Sequence, residues 1–191
     1  MNPLTRLASA AAALVLGAAP AAAQAPAEAP APQVSSVYTQ MRQEALTIPH
    51  NQLDWDGRRR PRVWGVVMDA AQANGSVATL VVFADGTTSL YSSAGGGIVG
   101  AGPQRDVRRA SDDMLQVAGG TEGDMAPPAA DGTFPLPAAG RVRFYLRTNG
   151  GLRTAEAAED ELKAGSHALS GLYTAGQAVL SEVRPLSQYN P

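Results

Sequence analysis

The chain has no cysteine, one lysine (Lys163) and two histidines (His50 and His167) among its 191 residues. The missing cysteine excludes disulfide staples, thiolate catalysis, zinc–cysteine sites and a lipobox residue for acylation. A fold without such staples must rest on an apolar core. The formal charge of −2 leaves no basic excess, which argues against nucleic acid as a partner. Beyond the first two dozen residues no apolar run approaches the roughly 20 residues that cross a bilayer, so no transmembrane segment is expected.

What is present begins with MNPLTRLASAAAALVLGAAPAAAQA. Arg6 supplies a positive start, the run 8–19 is apolar, and Ala21 and Ala23 give a small-x-small cleavage pattern, with Ala23 and Ala25 as a second frame. Residues 1–23 are therefore expected to be a signal peptide, and the mature chain to be exported, periplasmic or extracellular. Residues 24–33, QAPAEAPAPQ, alternate alanine with proline and predict an extended tether. One domain is expected over 34–186, with 187–191 as a tail.

Within that domain the apolar spacing of Val34, Val37, Tyr38, Met41 and Ala45 predicts a helix over 34–46, stopped by Pro49. Strands are predicted at 62–71, 77–84 and 87–92, the last two joined by a hairpin at Asp85 and Gly86. A second hairpin, turning at Asn149 and Gly150, joins strands at 141–148 and 151–157. The first of these alternates, with Val142, Phe144 and Leu146 inward and Arg143, Tyr145 and Arg147 outward, as a half-exposed strand near a sheet edge would. Helices are expected at 104–118 and 172–183, a further strand near 161–168, and a long Gly/Pro-rich loop over 119–140.

These elements make an α/β (α+β) domain with a mainly antiparallel sheet of five or six strands and helices on both faces. The terminal helices would pack on one face and the central helix on the other. Over 34–184 the element order resembles the profilin-like architecture, and its roadblock/LC7 variant in particular. That resemblance implies a non-catalytic module that dimerises and scaffolds. The phrases VWGVVMD, FADGTTSLYSSAGGGIVGAG and GRVRFYLRTNG are also similar to those of an uncharacterised bacterial protein family, which implies no activity.

The cluster SAGGGIVGAG contains Gly95-x-Gly97-x-x-Gly100, formally a dinucleotide fingerprint. Such a motif needs a parallel strand before it, a helix beginning within it and an acidic residue ending the next strand; here a hairpin arm precedes it and Pro103 delays the helix. The simpler reading is a tight backbone crossing. Between the two stands an anion or small-ligand site formed by Gly95, Gly96, Gly97 and Gly100 with Arg105 and Arg109, and Arg108 beside them.

Arg58, Arg59, Arg60 and Arg62 suggest peripheral contact with anionic lipid, or else a solvated lead-in paired with the acidic residues Glu156, Glu159, Asp160 and Glu161. His50, Asp54 and Asp56 lie close in sequence, yet a metal needs three or four converging ligands, and a solvated turn accounts for them without one. No Gly-x-Ser-x-Gly, Ser-x-x-Lys or HExxH pattern occurs, so no catalytic residue and no cofactor is expected, although a hydrolase site assembled from distant residues around His167 stays open. Tyr145, flanked by Arg143 and Arg147, is the candidate interface residue; Trp55, Trp64, Tyr91, Tyr173 and Tyr189 suit packing. The sequence thus predicts an exported, non-enzymatic domain that binds a protein partner or itself in the cell envelope. The alternatives are a small-ligand or anion sensor using 95–102, and a hydrolase with a noncontiguous site.

Overall fold

A computed structural model describes residues 34–54 and 61–188. The first helix, α1 (Ser36–Thr47), is followed by a meander of four strands, β1 (Val63–Ala71), β2 (Val77–Phe83), β3 (Thr88–Ser92) and the short β4 (Gly97–Ile98). Helix α2 (Arg105–Thr121) leads to the hairpin β5 (Arg141–Thr148) and β6 (Gly151–Ala158), then α3 (Glu159–Ala164) and α4 (Ser170–Val183). The protein is α+β: its six strands form one sheet in the order β4-β3-β2-β1-β5-β6, with every neighbouring pair antiparallel. Helices lie on both faces.

β1 and β2 are largely apolar and buried along nearly their whole length, because they occupy the middle of the sheet and are covered on both sides. On one face Met68, Leu80, Val82 and Phe144 pack against Val107 and Met114 of α2 and Leu172 and Val179 of α4. Gly176 makes that packing close. A Cβ there would stand 2.7 Å from the sulfur of Met68, so the glycine lets α4 settle onto β1. A helical glycine costs about 1 kcal/mol relative to alanine, which this contact has to outweigh. On the other face Trp64, Val67, Val81, Phe83 and Tyr145 form a smaller cluster under Ala45 and Leu46 of α1 and Leu53 beyond it.

Four expectations from the sequence are corrected. α1 covers its face without another helix, while α2 and α4 share the opposite one. The buried stripe of α1 is Tyr38, Arg42, Ala45 and Leu46; Val37 faces out, because Arg42 has a buried partner beneath it. The stretch near 161–168 holds no strand: it starts inside α3, where Glu159, Asp160 and Glu161 complement the positive end of a helix that Gly165 terminates in a left-handed conformation, and continues as a turn. Finally, β5 lies next to the edge strand β6, as expected, but it is not half-exposed: its second face is covered by α1 and by Phe134.

The long connection after α2 has a structural task. Ala126 bridges Thr154 on the outer side of β6, and the carbonyls of Phe134 and Pro135 receive hydrogen bonds from Arg42. Among the described residues, no helix is long and apolar enough to cross a membrane.

Candidate functional site

α1 is fixed to the sheet by two arginines. Arg42, buried beneath it, gives Nε and Nη2 to one carboxylate oxygen of Asp69 on β1, at 3.0 and 2.7 Å. The second oxygen of Asp69 accepts from the hydroxyl of Thr79 at 2.5 Å. Because Thr79 spends its only proton there, Tyr38 of α1 must donate in its 2.8 Å contact with Thr79. Burial, and next the neighbouring Asp69 carboxylate, push the Tyr38 hydroxyl up to about 12. At the other end, Arg147 of β5 donates to the carbonyls of Leu46 and Ile48, satisfying the open C-terminus of α1. Its guanidinium lies over the Trp64 ring, 4.6 Å from the centroid.

This anchoring places α1 over β1 and β2. Five gaps of about 4.8 Å put the outer strands of a six-stranded sheet roughly 24 Å apart, while one helix is about 10 Å across. Phe134 and its neighbours cover the sheet toward β5. Toward β3 and β4 it stays partly open, and the result is a groove of about 290 Å³ between α1 and the glycine-rich hairpin. Met41 and Ile48 form one wall, Val81 and Phe83 the floor, and Val99 and Gly100 the far side. Toward the start of α1 it continues into a recess of about 110 Å³, the two sharing Met41, Tyr91 and Val99. Val37 and Val99 are 63% and 67% exposed, and both line the recess.

The polar groups of the groove are few. Glu44 of α1, Thr87, Ser89 and Tyr91 supply them. Burial holds the Tyr91 hydroxyl above its usual range; a hydrogen bond with Ser89 opposes this, and the Glu44 carboxylate adds to it. Glu44 and Tyr91 thus belong to the same groove lining.

The expected glycine site divides. Gly95 and Gly96 shape the β3–β4 turn and line the recess with Gly97, while Gly100 lines the main groove. Arg105 and Arg109 are exposed on α2, which packs on the opposite face of the sheet, and neither lines the groove. Arg108 pairs with Asp112 and reaches the Asp85 carbonyl. The glycines follow the crossing explanation in two places. A Cβ on Gly97 would be 2.3 Å from the Leu90 carbonyl oxygen, and one on Gly102 would be 1.7 Å from that of Gly86. No βαβ unit surrounds them, since β3 and β4 are antiparallel and α2 begins at Arg105.

The expected interface residues are covered. Tyr145 is 1% exposed, donates to the Pro135 carbonyl and accepts from Arg42. Its outward side meets α1 and Phe134 instead of solvent. Arg143 pairs with Glu156, as does Arg141 at 2.6 Å, and Glu159 is held by Lys163 and Tyr173. Arg62 pairs with Glu122 at 2.6 Å. Arg58, Arg59, Arg60, Trp55, Asp56 and Tyr189 lie outside the described residues. His50 and Asp54 are exposed, and among the described residues no three metal-ligating side chains converge. The imidazole Nδ1 of His167 accepts from the Leu169 amide near the start of α4.

The chain matches no family model, no curated protein and no solved structure. The groove and the buried network were not anticipated from the sequence, though one signal for the network was there. Asp69 sits within VWGVVMDAA, and a carboxylate in a strand expected to be buried on both faces requires a partner.

Proposed function

We propose that this is an exported, non-enzymatic binding domain, and that it holds a small apolar ligand in the groove between α1 and the β3–β4 hairpin. The observation that carries this reading is the groove itself. A concavity of about 290 Å³, with an apolar floor and a few hydroxyls, lies at the lower end of small-ligand sites. The support for a binding role over a catalytic one is chemical: beside the Ser89 and Tyr91 hydroxyls the described lining offers one carboxylate, Glu44, and no histidine or lysine to activate a hydroxyl as a nucleophile. Export follows from the leader-like residues 1–23.

The test is titration of the purified chain with octan-1-ol, followed by amide NMR shifts. Saturable shifts should gather at Val81, Phe83 and Ser89. Thr87→Phe, which places a ring at the mouth of the groove, should abolish them without altering the melting temperature. Shifts scattered over the surface, or unchanged in Thr87→Phe, would reject the groove as the site.

A second reading has its own observation. Val34, Val37 and Val99 are three of the four large hydrophobic side chains exposed among the described residues; two line the recess and Val34 adjoins it. Exposed apolar side chains gathered in one place mark interaction surfaces. On this reading the rim joins a protein partner or a second copy, and light scattering should show association that Val37→Glu with Val99→Glu removes.

A further inference from the structure

The groove is apolar on its floor and walls but not electrically neutral. Glu44 is the one ionised side chain among its described lining. Glu44 lines the groove together with Tyr91 and Ser89, so a carboxylate stands at the wall of the cavity. The adjoining depression shares Thr87 and Gly100 with the groove and adds Asp54 and Asp85. The cation there, Arg108, is committed to Asp112 and to the Asp85 carbonyl. An anionic ligand would therefore bring its charge toward a carboxylate, and a purely apolar one would leave that carboxylate partly desolvated without a partner.

From this complementarity we infer that the ligand is a small amphipathic cation, an alkyl or arylalkyl ammonium whose apolar body lies on Val81 and Phe83 and whose ammonium group pairs with Glu44. The inference deepens the ligand-binding reading and rests on it. Hydroxyls of Thr87, Ser89 and Tyr91 offer acceptor lone pairs for the remaining ammonium protons, which an alcohol or a carboxylate head group would use less well. Glu44 is exposed at its outer side, so the gain is that of a screened ion pair and should weaken as salt is added.

Three probes with the same chain length separate the possibilities: n-octylammonium, octan-1-ol and octanoate, each titrated by NMR into the purified chain and into Glu44→Gln. Octylammonium should bind about two- to fivefold more tightly than octanol, and octanoate more weakly than octanol. In Glu44→Gln the ammonium preference should vanish while octanol affinity stays unchanged. If octanol and octylammonium bind equally, or the preference survives in Glu44→Gln, the cation inference is overturned and the apolar groove stands. If none of the three binds, both fall together.

Discussion

Arg42 and Asp69 stand 27 residues apart in the chain and meet at 2.7 Å in a place that excludes solvent, with Asp69 fully buried. That contact decides which side of α1 faces the sheet, and so where the groove opens. Arg42 also reaches the Phe134 carbonyl at 2.8 Å, so one guanidinium ties the first helix, the central strand and the long loop together.

Removing one partner of this pair is expected to be costly. Arg42→Ala should lower stability by about 3–5 kcal/mol, since it leaves a buried carboxylate with Thr79 as its remaining support. The paired replacement of Arg42→Met with Asp69→Leu leaves no buried charge and should cost less than Arg42→Ala alone. Urea unfolding of the three proteins checks the order; a double variant at least as unstable as the single one would contradict it.

The alkaline limb of stability should be steep. Tyr38 and Tyr173 are each pushed up to about 12, and burial raises Tyr91 and Tyr145 as well. A raised folded-state pKa means the folded protein holds the proton more tightly than the unfolded chain does. The contribution is complete below the unfolded tyrosine pKa of about 10 and is lost as pH rises through the folded value. Phenolate absorbance should therefore lag behind that of the unfolded chain, and Tyr38→Phe should flatten the fall in melting temperature above pH 10. Absorbance that follows free tyrosine in the intact fold would refute this.

Glu159 gives the acid counterpart. Burial opposes its ionisation, but hydrogen bonds from Lys163 and Tyr173, together with the Lys163 charge, hold it below the usual carboxylate range. Its stabilisation is present above the unfolded pKa and disappears as pH falls through the lower folded value. Glu159→Gln should lower the melting temperature at neutral pH and match the parent protein once pH is below that range. A deficit that persists at acid pH would assign the loss to packing.

The glycines should separate into two classes. Gly102→Ala must fit a methyl group 1.7 Å from the Gly86 carbonyl oxygen and is expected to cost about 2 kcal/mol or more. Gly96→Ala meets nothing within 4 Å and pays only for its φ of +78°, about 1 kcal/mol. Chemical denaturation of both variants decides between them. Equal losses would mean that the crossing at Gly102 is not tight.

Much of the fold was legible because it is local. The apolar runs around Val66 and Val81, the Asp85 and Asn149 turns, and the helices near 104–118 and 172–183 depend on neighbours a few residues away. Short β4 was not legible, since Gly97 and Ile98 form a strand only by pairing with Tyr91 and Leu90. Tyr145 shows the limit most clearly. Its alternating strand correctly separated two faces, but alternation cannot say whether the second face meets water or a helix from the other end of the domain.

Of the candidate site, the glycines were visible and their partners were not. Gly95, Gly96 and Gly97 line the recess and Gly100 the groove, whereas Arg105 and Arg109, near in sequence, lie on a helix packed against the other side of the sheet. By itself the sequence determined the types of the main elements, the antiparallel hairpins and the need for an uncrosslinked apolar core. Only the tertiary structure decided that Arg42 pairs with Asp69, that Tyr145 is buried and that one helix leaves a groove beside β3. Side-chain periodicity fixes which residues share a face, but the cover over that face is set by contacts between segments far apart in the chain.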